Sequence, residues 1–94
     1  MHIISRKKLL EASGLHAELT EPLDAWYRIA KKATRKNLVQ TRRDMPSADA
    51  VGRFVVFNIK GNAYRLIAEI FYPSQLILLR HILTHAEYDK EGWK

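Results

Sequence analysis

The stretch RFVVFNIKGNAYRLIAEIFY constrains this chain more than any other. Two runs rich in β-branched and aromatic residues are separated only by Gly61-Asn62, the chemistry of a tight hairpin turn. A two-residue turn sets the register of both strands. Lys60 then faces Ala63, Ile59 faces Tyr64, Asn58 faces Arg65 and Phe57 faces Leu66. Side chains alternate across a strand, so Val55, Phe57, Ile59, Tyr64, Leu66 and Ala68 form one apolar face for helices to cover. The other face gathers Asn58, Lys60 and Arg65 near the turn, with Val56, Ile67 and Glu69 further along. A lysine beside an arginine is repulsive. Either both side chains reach into water, as on many exposed strands, or an anion such as phosphate lies between them.

Pro73-Ser74 separates this hairpin from QLILLRHILT, which reads as a third antiparallel strand. With a two-residue turn there, Arg80 joins the face of Arg65, His81 points to the core side, and the strand ends at Thr84 beside Ala63 and Lys60. Upstream, HIIS reads as a short strand at a sheet edge. RKKLLEASGL reads as a helix with Leu9 and Leu10 inward and Gly14 as its stop. LTEPLDAWYRIAKKA is the clearest helix, with Thr20 as N-cap and Glu21 and Pro22 in the first turn. Leu23, Trp26, Tyr27, Ala30 and Ala33 recur at helical spacing and form its core stripe. RKNLVQTRRDMPSADAVG is a connector with one short helix ending before Pro46. Helices followed by a three-strand meander make an α+β fold, expected as one domain over residues 1–94.

The absence of cysteine excludes disulfides and thiolate metal sites, and it suits a reducing compartment. LILLRHIL is too short and too charged to span a membrane, and MHIISRKKLL is a poor secretory signal. A soluble, cytoplasmic protein with no membrane association is expected. The net charge of +6 favours an anionic partner. Lys31, Lys32, Arg35, Lys36, Arg42 and Arg43 fall in one stretch without an acid, which is either a solvated helix face or a polyanion-binding surface.

The segment THAEYD, residues 84–89, has two readings. Thr84 and Glu87 match a capping box, and Leu83 and Tyr88 occupy the positions of a hydrophobic staple. The same helix start offers free N–H groups to a phosphate, with His85 beside it. His81 and His85 are four residues apart but have no accompanying ligand set, so neither a metal nor a cofactor is expected.

MHIIS, AWYRIAKKA, PSADAVG, FVVFNIKGNAYRLIAEI and THAEYD, in this order, resemble the HigB toxins of bacterial type II toxin–antitoxin pairs, within the RelE-like superfamily. The resemblance spans nearly the whole chain. One departure is Leu83, where many members have a glycine. The resemblance implies a RelE-like fold, with an N-terminal strand and helices packed on one side of a curved antiparallel sheet. It implies a ribosome-dependent mRNA endonuclease that uses the RNA 2′-hydroxyl as nucleophile without metal. Its partners would be the ribosome, mRNA and a HigA-type helix-turn-helix antitoxin, in a hetero-oligomer.

In that setting Arg65 would bind phosphate, with Lys60 as a second phosphate ligand or a base. His85 would transfer protons, and Tyr88 would stack on a base or join that transfer. Arg80 and Asn58 would support the phosphate, and the basic run from Lys31 to Arg43 would meet ribosomal RNA. Two other readings stay open: a ParE-like gyrase poison, for which His85 has no use, and a non-catalytic basic module that binds RNA or DNA.

Overall fold

The computed structural model describes residues 1–90, 92 and 93. A short strand β1 (His2–Ile4) leads into helix α1 (Arg6–Leu15). A 3-10 turn (Ala17–Leu19) and helices α2 (Thr20–Lys32) and α3 (Leu38–Asp44) follow. The sheet strands β2 (Asp49–Val51), β3 (Phe54–Ile59), β4 (Tyr64–Phe71) and β5 (Leu76–Thr84) come next, then helix α4 (His85–Asp89). The five strands form one sheet in the order β1-β5-β4-β3-β2. β1 pairs parallel to β5, and the other pairs are antiparallel. This is an α+β architecture compatible with the RelE-like fold.

Three of the expected hairpin pairs form, Ile59 with Tyr64, Asn58 with Arg65 and Phe57 with Leu66, but Lys60 and Ala63 belong to a four-residue turn, closed by Ala63 N–H on Lys60 O at 3.3 Å, rather than to the strands. All six residues expected on its apolar face join the main core with Leu19, Leu23, Trp26 and Ala30. The α2 stripe packs inward because its apolar residues return every three or four positions. Trp26 meets Phe57 edge-on at 5.5 Å. Tyr27, at the rim of the stripe, carries the Arg6 guanidinium 4.6 Å above its ring.

Several local expectations are corrected. Leu10 is 64% exposed, so only Leu9 of that pair is buried. Gly14 does not stop α1, which continues through Leu15. Thr20 is the first residue of α2 rather than its cap, and its hydroxyl donates back to Ala17 O at 2.9 Å. The connector contains β2, a strand too short for residue alternation to reveal. The connector helix does form: Asn37 caps α3 by accepting from the Gln40 N–H at 3.0 Å.

The largest correction lies in β5. The register follows the Pro73-Ser74 turn as far as Leu79, which pairs with Ala68. A bulge then absorbs Arg80, and His81 pairs with Ile67, Leu83 with Arg65 and Thr84 with Tyr64. One inserted residue reverses the faces downstream. His81 therefore lies on the face of Ile67 rather than the core side, and Ile82 packs into the core in its place.

A second, smaller apolar cluster forms on the opposite face from Phe54, Val56 and Ile67, joined by Val51, Leu83, Tyr88 and Trp93. Here Leu83 gains a packing role that a glycine would lack. α4 folds over this face, with Tyr88 packed in the cluster.

Candidate functional site

Arg65 is the centre of the site. It enters from β4 and is only 9% exposed, which is rare for an arginine without internal partners. Its Nη1 donates to Asn62 O at 3.0 Å and to Tyr64 O at 3.3 Å. Its Nη2 donates to Asn62 Oδ1 at 3.1 Å and approaches His85 Nδ1 at 3.2 Å. A guanidinium can only donate, so this contact suits the tautomer that accepts at Nδ1 and carries its proton on Nε2. That Nε2 lies 3.1 Å from Asp89 Oδ2, one helical turn on. The result is a chain of contacts from Asn62 through Arg65 and His85 to Asp89.

THAEYD is both a helix cap and part of this cluster. The Thr84 hydroxyl accepts from the Glu87 N–H at 3.1 Å, and the Glu87 carboxylate accepts from the Thr84 N–H at 2.9 Å. Those bonds to Thr84 hold the Glu87 carboxyl below its ordinary range. The His85 N–H is taken by Ala63 O at 2.9 Å. The start of α4 is thus tied to the hairpin turn, and two of its first N–H groups are already satisfied. It acts as a clamp on His85 rather than as an anion cradle.

Tyr88 completes the cluster. The Arg65 guanidinium carbon lies 5.5 Å from the Tyr88 ring centroid. The Trp93 indole stacks on the same ring at 5.1 Å, with planes 17° apart, and meets Phe54 edge-on at 5.7 Å. Trp93 Nε1 also donates to Tyr88 O at 2.9 Å.

The other expected residues divide. Asn58 reaches the site indirectly, its Nδ2 lying 3.4 Å from Asn62 Oδ1. Lys60 does not stand beside Arg65. Its φ of 52° is left-handed, which breaks the strand alternation. It lines a groove with Pro22, Ala25 and Trp26, and its charge acts on Glu18. Arg80 is held by Glu69 at 2.9 Å, and Arg53 lies 3.5 Å from the same carboxylate oxygen.

In the basic run, Arg35 grips Asp44 with two bonds of 2.6 Å. That grip is the main reason the Asp44 carboxyl lies below its ordinary range. Arg42 donates to Ala48 O at 2.8 Å and to Asp49 at 3.4 Å. Lys31 lies 5.7 Å from the Tyr27 ring centroid. For Lys32, Lys36 and Arg43 no ion pair occurs among the described residues.

Asn62, Asp89 and Trp93 were not singled out in the sequence. Asp89 was within reach, since it stands four residues after His85. As the second residue of a Gly-Asn turn, Asn62 carries no local sign of a role at the site, and nothing local marks Trp93. No group of three or more potential metal ligands converges among the described residues. No helix among them is long and apolar enough to cross a membrane.

Comparison with known proteins places these features in context. The profile of the HigB_toxin family, described as the RelE-like toxic component of a toxin-antitoxin system, matches residues 19–91. The mRNA interferase toxin HigB of Escherichia coli K12 is 32% identical over 92 residues, covering 95% of this chain and 88% of its own. The mRNA interferase HigB of Shigella flexneri gives the same figures, 32% over 92 residues. That of Escherichia coli O6:H1 is 30% identical over 93 residues, covering 96% of this chain and 90% of its own.

Proposed function

Because this chain belongs to the HigB family of RelE-like toxins, we propose that it is an mRNA interferase whose cleavage site is the Arg65–His85–Tyr88 cluster. It is an endoribonuclease acting on mRNA during translation. The carrying observation is the 3.2 Å approach of Arg65 Nη2 to His85 Nδ1, with His85 Nε2 on Asp89. This arrangement stores a usable base. A substrate phosphate takes the Arg65 N–H, and the His85 Nδ1 lone pair is released beside it.

RNA supplies its own nucleophile. His85 Nδ1 accepts the 2′-hydroxyl proton as that oxygen attacks phosphorus. Arg65 stabilises the charge that builds on the phosphoryl oxygens. As the P–O5′ bond breaks, the 5′-oxygen takes a proton from a water molecule, giving a 2′,3′-cyclic phosphate and a 5′-hydroxyl end, and His85 later returns its proton to solvent. Asp89 holds the imidazole in its tautomer and stabilises it once protonated. Tyr88, stiffened by Trp93, bounds the slot on its aromatic side.

Lys60, Asn58 and Arg80 act as outer contacts at most, given where their side chains lie. Lys32, Lys36 and Arg43 meet ribosomal RNA through phosphates, while Arg35 and Arg42 brace the surface they stand on. Residues 1–94 work as one domain in the cytoplasm, controlled by a HigA-type antitoxin. The test is translation of a defined mRNA with purified ribosomes and mapping of the RNA ends by primer extension. Cuts that require the ribosome support the reading. Growth arrest in cells without cuts in the reconstituted reaction would sink it.

A further inference from the structure

One carboxylate on the site face of the sheet holds two guanidiniums. Glu69 lies on β4 four residues beyond Arg65, so by alternation it shares the face of Arg65 and Ile67. Its side chain is 12% exposed, and its Oε1 meets Arg80 Nε at 2.9 Å and Arg53 Nε at 3.5 Å. Both arginines approach through Nε. Among the described residues their Nη groups make no hydrogen bond, although each guanidinium carries five donors. One arginine would neutralise Glu69. The second, Arg53, has a side chain 72% exposed and is surplus to that need, which leaves one net positive charge here. His81 adds none, because burial first, then the Lys8 and Arg80 charges, hold its imidazole below the ordinary range. Asp49, across from Val56 on the same face, is taken up by Arg42 at 3.4 Å.

Rings join this pair to the Arg65 cluster. The Arg53 guanidinium carbon lies 4.9 Å from the Phe54 ring centroid. Phe54 meets Trp93, Trp93 stacks on Tyr88, and Tyr88 faces the Arg65 guanidinium. An aromatic ridge thus runs between two cationic ends. Glu69 stands roughly 13 Å along the strand from Arg65, a span that takes in more than one phosphate of a single RNA strand.

We propose that Arg53, steadied by Glu69 beside Arg80, binds an mRNA phosphate flanking the scissile one, with the intervening nucleotide against the Trp93–Tyr88 ridge. The inference rests on the cleavage reading of the Arg65–His85 cluster given above. Cations that follow the backbone, with aromatic surface under the bases, hold a single strand without reading its sequence. The Nε contact fixes the orientation of each guanidinium and leaves its Nη groups for a phosphate. Glu69 touches no substrate in this scheme; it is a positioning residue that acts through Arg53.

The experiment is ribosome-dependent cleavage by the full-length toxin, using mRNAs that carry one methylphosphonate, an uncharged phosphate analogue, at successive positions on either side of the cut. Wild type is compared with Arg53→Ala, Glu69→Gln and the control Lys7→Ala, which removes one exposed charge from α1. Arg53→Ala should lower cleavage about tenfold at limiting toxin, the loss of one charge-assisted hydrogen bond, and less than about threefold at saturating toxin. One flanking methylphosphonate should cost the wild type a similar factor and cost Arg53→Ala nothing further. Glu69→Gln makes the face more positive, yet should weaken cleavage because the guanidiniums lose their brace. Lys7→Ala should stay within about twofold, and it and Arg53→Ala should melt within about 3 °C of wild type. Arg53→Ala cleavage within twofold of wild type would overturn the proposal. So would a methylphosphonate penalty that persists in full at every position in Arg53→Ala, or faster cleavage by Glu69→Gln, the mark of unspecific charge. Weaker binding of Arg53→Ala to ribosomes that carry no mRNA would assign the residue to ribosomal RNA and overturn it as well. Wild-type cuts that ignore Arg53 count against this inference alone, whereas no wild-type cuts at all would fail the proposed function and this inference with it.

Discussion

His85→Ala and Arg65→Ala should fail in different ways, and the structure sets the size of the difference. The His85 side chain is 51% exposed, and its partner Asp89 is 60% exposed. A pair this open is worth no more than about 1 kcal/mol. Alanine is also a better helix former than histidine by about 0.5 kcal/mol. His85→Ala should therefore shift stability by less than about 1 kcal/mol, which moves the thermal midpoint of a domain this size by no more than roughly 6 °C. If His85 moves the proton, cleavage should fall by about 100-fold or more.

Arg65→Ala removes a side chain that is 9% exposed and strips the carbonyls of Asn62 and Tyr64 of their donor. Only the bond to the Tyr64 carbonyl is buried, since Asn62 is exposed; one buried acceptor left unpaired costs about 1–3 kcal/mol, so a loss of that size and a midpoint lowered by roughly 4 °C or more are expected. Its cleavage should also be lost, but Arg65→Ala alone cannot separate chemistry from folding. The informative variant is His85→Ala, assayed by calorimetry and by ribosome-dependent cleavage with mapped ends. Cleavage within threefold of wild type, in a protein of unchanged stability, would refute the assignment of His85 as proton carrier.

Three further outcomes are expected. Thr84→Ala deletes the hydroxyl that caps α4, costing about 1 kcal/mol by urea denaturation, and should lower cleavage more than its stability loss explains because α4 carries His85 and Tyr88. Trp93→Ala removes the stack on Tyr88 and the edge contact with Phe54; a loss of about 1–3 kcal/mol and a wider Tyr88 rotamer distribution by NMR are expected. Asp44 has its carboxyl lowered by Arg35, so its stabilising contribution is complete above the ordinary value of 3.8 and disappears as pH falls through the lower folded value. Asp44→Asn should thus lower the thermal midpoint at pH 7, with a gap to wild type that closes below about pH 4. A gap that stays constant into acid would mean the Arg35–Asp44 pair is not its source.

What the sequence determined by itself was local. The Gly61-Asn62 turn set the β3–β4 register, and alternation sorted the two faces of that hairpin, because both depend on neighbours within a few residues. The capping box at Thr84 and Glu87 was legible for the same reason. The α2 stripe followed from helical period alone.

The tertiary structure decided what local rules leave free. The bulge at Arg80 reversed His81 and brought Leu83 opposite Arg65, since bulges are chosen by how two strands fit and not by either strand's composition. Left-handed backbone at Lys60 took its charge to the Glu18 side of the sheet, away from Arg65. Asn62 became the anchor of Arg65 only when the turn closed beneath it. Composition named the chemistry available at the site; the packing of a buried guanidinium against one imidazole decided which groups share it.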